Sequence, residues 1–275
     1  TYSLSALFEK SFHFGLDLAA SYTFGHSKSV YDGTSSVAYS NWKYNYAVDS
    51  NNPGLAYSMF DIPHRVMVSV GYRTPRYAKG FMATTVSLVY NGYVGQRYSL
   101  TMNESYYDAE KKKTVYIDYN GDGWGGNSLL YIPTEDELQK MDFKTEEDRR
   151  KFDEWIEGDS YAKKHRGAYA MRNSNSAPWE NRVDLHVAQD IFVLKDRGSK
   201  FQVTFDVTNF ANMLNKKWGT TYTAAYNVMP LQVIGSKKGE DGNYTNTYAY
   251  NSRNTITKND VLSRWHAQIG FKYIF

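Results

Sequence analysis

From Phe12 to Phe24 every even position is apolar or aromatic: Phe12, Phe14, Leu16, Leu18, Ala20, Tyr22 and Phe24. The intervening positions are His13, Gly15, Asp17, Ala19, Ser21 and Thr23. Successive side chains on an extended chain point to opposite faces, so this alternation predicts a long strand with one apolar and one polar face. The same period recurs along the chain. Tyr2, Leu4, Ala6 and Phe8 share a face, as do Val66, Val68, Val70 and Tyr72, then Thr84, Val86, Leu88 and Tyr90. Val183, Leu185, Val187 and Ile191 oppose Arg182, Asp184, His186 and Asp190. Phe201, Val203, Phe205 and Val207 alternate with Gln202, Thr204, Asp206 and Thr208. Trp265, Ala267, Ile269, Phe271, Tyr273 and Phe275 alternate with Arg264, His266, Gln268 and Lys272. A weaker hairpin covers 229–236 and 244–250. The pattern predicts about nine antiparallel strands and an all-β fold.

The connections alternate in length. Short turns are expected at 9–11, 74–80, 194–199 and 237–243, and long excursions at 25–61, 97–177, 212–228 and 251–260. Short turns on one rim and long loops on the other are the arrangement of a transmembrane β-barrel. With the last strand running toward the short-turn side, an odd number of strands places every short turn on that side. Phe8, Phe12, Phe14, Tyr72, Phe81, Phe192, Phe201, Phe271, Tyr273 and Phe275 lie near a short turn or the C-terminus. Aromatic rings gathered at one level form an interfacial girdle. A soluble β-sandwich explains the alternation less well, because its strands rarely need apolar faces this long.

Composition then removes other classes. The chain holds 25 Tyr, 14 Phe and 6 Trp, and no cysteine, which excludes thiol catalysis and cysteine metal sites. Its net charge of +3 is too small to argue for nucleic acid. The mean hydropathy of −0.62 has no apolar run long enough for a membrane helix, but barrel strands present only one face to lipid. The start falls inside the period-two pattern, with an expectation that barrel sequence lies upstream.

The 97–177 excursion carries its own signals. Thr134 with Glu137 forms a capping box, and Thr145 opens a second helical stretch with Phe152, Trp155 and Ile156 on one side. Asp118, Asn120 and Asp122, followed by Gly123, match the first half of a calcium loop, but the twelfth position is Leu129 where a bidentate Glu is expected. Two readings stay open: a structural calcium site completed from elsewhere, or a metal-free acidic turn. Gly121, Gly123 and Gly126 satisfy a dinucleotide-binding pattern by accident, since no clear helix follows. Neither a zinc-protease helix nor a serine-nucleophile elbow is present, so no catalytic residue is assigned and an enzyme is not expected. Asp17, Asp184, Asp190, Asp206, Arg65, Arg182 and Lys272 are read as lining a hydrated lumen or touching a plug. The charged run at 145–165 reads as a solvated helical face. Trp42, Tyr44, Tyr46, Tyr106, Tyr107 and Trp124 are candidates for gripping a ligand or for packing the loops.

Arg172-Asn173, Asp206-Val207-Thr208-Asn209 with Trp218-Gly219, and the closing Phe271-Lys272-Tyr273-Ile274-Phe275 resemble TonB-dependent outer-membrane transporters, in the large-loop branch that includes adhesion-like and SusC-like proteins. Ser263-Arg264-Trp265 through Phe271-Lys272-Tyr273-Ile274-Phe275 looks like the C-terminal signal of outer-membrane barrels. Arg166-Gly167, Arg172-Asn173, Pro178-Trp179 and Val183-Asp184-Leu185 fit the family, as do Asp206-Val207-Thr208-Asn209 with Asn212, Asn215 and Trp218-Gly219. Asp61-Ile62-Pro63-His64-Arg65 and Asn127 through Leu130-Tyr131-Ile132-Pro133 fit its large members. The resemblance implies a bacterial outer-membrane location, a barrel of about 22 strands and a plugged lumen, of which residues 1–275 are the C-terminal wall. It implies active transport of a nutrient, with partners in membrane lipid, the upstream barrel and plug, an inner-membrane energy transducer and a surface lipoprotein. The alternative is an adhesion or interaction protein for which the barrel is an anchor.

Overall fold

The computed structural model describes residues 1–193, 199–223, 227–240, 242–252 and 256–275. Seven long strands form one sheet: β1 (Tyr2–Ser11), β2 (Leu16–His26), β3 (His64–Arg73), β4 (Met82–Tyr93), β5 (Glu180–Phe192), β6 (Lys200–Thr208) and β7 (His266–Ile274). Their order in the sheet is their order in the chain, and every neighbouring pair is antiparallel. Each short connection therefore lies on one rim. Of the expected turn at 194–199, residues 194–198 lie outside the described residues, as do position 241 of the turn at 237–243, 224–226 of the excursion at 212–228 and 253–255 of that at 251–260.

The register joins the apolar alternation of each strand into one continuous surface. Leu18 is opposite Val70, Val70 opposite Leu88, Leu88 opposite Leu185, Leu185 opposite Val207, and Val207 opposite Ala267. A second row runs Leu16, Tyr72, Val86, Val187, Phe205, Ile269. The first row starts near the short-turn end of β2 and finishes at Ala267, near the long-loop end of β7, which is the stagger a tilted barrel wall requires. Many of the side chains remain exposed, including Leu88, Phe205, Ile269 and Phe271. An apolar surface this broad marks contact with a membrane or with another protein surface.

Two expectations are corrected here. Seven strands, not nine, build this sheet. The hairpin expected as two further strands is present at Asn227–Lys238 and Tyr244–Tyr250, but it joins a separate five-stranded sheet. Pro230 has no N–H, and the pairing of 227–238 with Arg97–Asn103 slips between Val228 and Leu231 around it. Removing one hairpin removes two strands, so the parity of the rims is unchanged. The second correction is Phe192, which is 5% exposed and lies on the polar face, with the Arg76 guanidinium 3.9 Å from its ring centroid. It shares parity with Asp190, not with Ile191. Elsewhere in the aromatic set, Phe12 and Phe14 stand 5.3 Å apart and Phe201 and Tyr273 4.9 Å apart.

The second sheet belongs to a lobe at the long-loop rim. Strand 97–103 runs parallel to 227–238, so the β4–β5 and β6–β7 excursions share one core. That core includes Leu100, Leu130, Ile132, Leu138, Phe152, Ile156 and Leu231. Both predicted helices form: α2 (Glu135–Lys140) and α3 (Glu146–Gly158), after the short α1 (Ala38–Lys43) of the β2–β3 loop. Thr134 caps α2 reciprocally with Glu137, and Thr145 Oγ1 accepts the Asp148 N–H at 3.1 Å. The periodicity of α3 drives Phe152 and Ile156 fully into the core, with Trp155 stacked on Phe152.

Candidate functional site

The polar face of the seven-stranded sheet is organised around fixed charges. Asp190 accepts from Arg73 at 3.0 Å, Lys200 at 2.6 Å and Gln202 at 2.8 Å. His186 Nδ1 lies 2.5 Å from Asp206, and Arg182 3.2 Å from Asp184. Asp184, Asp190 and Asp206 are each engaged by neighbours on their own wall, which suits a lined, hydrated face better than acid–base chemistry. Asn209, the last residue of the 206–209 motif, begins the short α4 (Phe210–Leu214) in the left-handed region at φ 56°. Its amide donates to Gly219 O and Ser263 O, both at 2.8 Å, and a Cβ at Gly219 would stand 1.9 Å from Asn209 Oδ1. Asn212 holds Trp218 O at 2.8 Å. This motif clamps the rim; it carries no reacting group.

Above the rim, Asp61 is the anchor of the β2–β3 loop. It receives the Ser27 N–H at 2.6 Å, His26 at 3.2 Å, and Arg97 through Nε at 3.0 Å and Nη2 at 2.7 Å. Burial pushes its carboxyl up, but these hydrogen bonds and the Arg97 charge outweigh it and leave the carboxyl below its ordinary value. Arg172 is 3% exposed and donates to Val30 O at 2.6 Å, Ser29 O at 2.5 Å and Asn45 Oδ1. Asn173 donates to Asp32 at 3.1 Å and to Tyr57 O at 2.8 Å. The Arg172-Asn173 pair thus ties the β4–β5 excursion to the β2–β3 loop. Between them lies a polar cavity of about 300 Å³, lined by Asp32, Tyr44, Tyr46, Arg97 and Arg172 among others.

The predicted aromatic residues separate into groups. Tyr44 and Trp124 meet edge to face at 5.7 Å, and Trp42 stacks on Tyr39 at 5.8 Å. Lys43 Nζ sits 4.1 Å from the Trp124 centroid, joining the two pairs into one exposed aromatic and cationic patch. Tyr46 lines the polar cavity with Tyr44. Tyr106 and Tyr107 are elsewhere, on a two-stranded ribbon opposite Val115 and Thr114.

Asp118 and Asp122 fold inward on their own turn. Asp118 accepts the N–H groups of Asp122 at 3.1 Å and Gly123 at 2.8 Å; Asp122 accepts those of Trp124 at 2.8 Å, Ser50 Oγ at 2.9 Å and Asn127 Nδ2 at 2.5 Å. Asn120 donates to Asn127 Oδ1 at 3.0 Å and to Ser50 Oγ at 3.3 Å. Gly121, Gly123 and Gly126 all hold positive φ, which is their role in this turn. Among the described residues no three His, Asp or Glu side chains gather as a metal-holding group. Ser50, Asn127 and the buried Glu104 are additional oxygen groups at this turn that no local spacing signals. Burial raises the Glu104 carboxyl, while Ser128 and the Gly126 N–H pull it down.

The family model of the outer membrane beta barrel domain matches residues 2–264. This chain belongs to that family. The barrel domain is therefore an outer-membrane protein, and its exposed apolar face is the surface that meets lipid. Neither a curated protein nor a solved structure matches it. In the barrel domain the long excursions build the lobe, and both the polar cavity and a second, tyrosine-lined one of about 320 Å³ lie there. Sequence reasoning named Tyr44 and Tyr46 for the first but missed Asp32 and Arg97, which come from separate connections.

Proposed function

We propose that this domain is the wall and capture lobe of an outer-membrane active-transport receptor. In this reading the lobe binds a nutrient, and a plug supplied by other sequence gates the lumen under energy from an inner-membrane complex. The observation that carries it is the lobe itself: two excursions share one core and, with the β2–β3 loop, bound cavities on the long-loop rim, above a sheet face lined with paired charges. An anchor alone needs no such assembly. The exposed patch of Tyr39, Tyr44, Trp124 and Lys43 favours a second reading, adhesion to a partner surface.

Planar-bilayer recording on the intact outer-membrane protein separates the two. A receptor should be nearly silent until denaturant releases its plug, and cellular uptake should collapse when the inner-membrane gradient is discharged. A permanently open pore, or uptake indifferent to that gradient, would overturn the transport reading.

A further inference from the structure

The second cavity is bounded by strand 97–103, the 119–133 segment, α2 and the 227–250 hairpin. Four tyrosines line it, Tyr119, Tyr131, Tyr169 and Tyr248, with Met102, Met141 and Leu231 behind them. Among the described residues its lining includes no Lys, Arg or His, and Glu137 is its one acidic side chain. Tyr131 and Tyr169 stand edge to face at 5.1 Å. The Tyr131 hydroxyl bridges both Glu137 oxygens, at 2.9 and 3.0 Å, and the Thr134 N–H holds Oε2 at 2.9 Å. The Thr134 N–H and then the Tyr131 hydroxyl keep the Glu137 carboxyl below its usual range, so it is an anion at neutral pH. Lys140, one turn on, is exposed and outside the lining. Ser128, also in the lining, is buried beside the Glu104 carboxyl, which its side chain helps to lower.

We infer that this cavity binds an organic cation, an amine or quaternary ammonium with an apolar body. Tyrosine faces carry negative quadrupole density and attract a desolvated ammonium, and one fixed carboxylate without a competing internal cation adds to the same sign of field. The volume lies at the small end of ligand pockets, and an apolar lining with few placed polar groups is their usual composition. The inference deepens the reading of the lobe as the capturing part and rests on it only for biological purpose; the binding itself is measured without transport.

The test is calorimetric titration of the full outer-membrane protein in detergent with choline, alongside the isostere in which carbon replaces the quaternary nitrogen. Choline should bind, and the uncharged isostere should bind roughly tenfold more weakly or not at all. Glu137→Gln preserves the capping box, since Gln serves at that position, and should weaken choline roughly tenfold while leaving the isostere unchanged. Tyr169→Leu, at an exposed ring, should weaken choline as well. An undiminished choline affinity in Glu137→Gln would overturn the inference, as would equal binding of the isostere or no binding of choline. The bilayer and uptake measurements stand apart from these outcomes, so either reading can fail without the other.

Discussion

Asp61 illustrates how one residue fixes a loop against a wall. Its side chain is almost wholly buried, and so is that of Arg97, to which it is paired. Asp61→Asn keeps the shape but leaves the Arg97 charge uncompensated, which should cost the docking of the β2–β3 loop roughly 3 kcal/mol. Faster proteolysis at 27–63 than in the native protein would report it. The pH dependence follows from the lowered carboxyl. Its contribution is complete above the ordinary carboxylate value of 3.8 and is lost as pH falls through the folded value, which lies below that. The Ser27 amide, bound to Asp61 Oδ1, should thus keep its hydrogen-exchange protection through pH 4 and lose it only in stronger acid. Loss of protection already near pH 5 would contradict the assignment. The Asp61 motif was visible in the sequence; its partner Arg97, across an entire hairpin, was not.

At the scale of elements, depth in the membrane decides the cost of a charge. Leu88 is central in β4 and is flanked by Val70 and Leu185 in the register. Leu88→Arg should destabilise the barrel by roughly 2–4 kcal/mol, whereas Leu18→Arg, near the short-turn end of β2 and opposite Lys10, should cost about 1 kcal/mol or less. Equal losses in detergent unfolding would argue against the tilted-wall geometry. The acidic turn is a second element with a measurable prediction. If Asp118, Asn120 and Asp122 hold calcium, chelation should increase cleavage within 97–177 and added calcium should restore protection. Identical digests with and without calcium would leave a turn held by its own N–H groups and by Ser50 and Asn127.

For the whole molecule the decisive feature is the pair of sheet edges. β1 and β7 are the two ends of the strand order, and among the described residues each is paired on one side only. Unpaired backbone groups facing hydrocarbon cost several kcal/mol each, so in a bilayer both edges must find partners. Residues 1–275 expressed alone should therefore aggregate or associate edge to edge in detergent. A monodisperse, heat-modifiable monomer would show instead that β1 and β7 close on each other.

What the sequence determined by itself was local and periodic. Alternation located all seven wall strands, because a two-residue period reports a face without reference to the partner strand. The α2 cap was equally legible, since Thr134 and Glu137 are three residues apart. Phe192 escaped the aromatic rule because proximity to a turn was read where parity decides the face. The hairpin at 227–250 alternates like a wall strand, and only its parallel pairing with 97–103 assigned it to the lobe. Both cavities are of this second kind. Tyr119, Tyr169 and Tyr248 meet through contacts between distant excursions, and Arg97, Arg172 and Asp32 do the same. Such contacts are selected by packing of the shared core, and packing leaves no period along the chain.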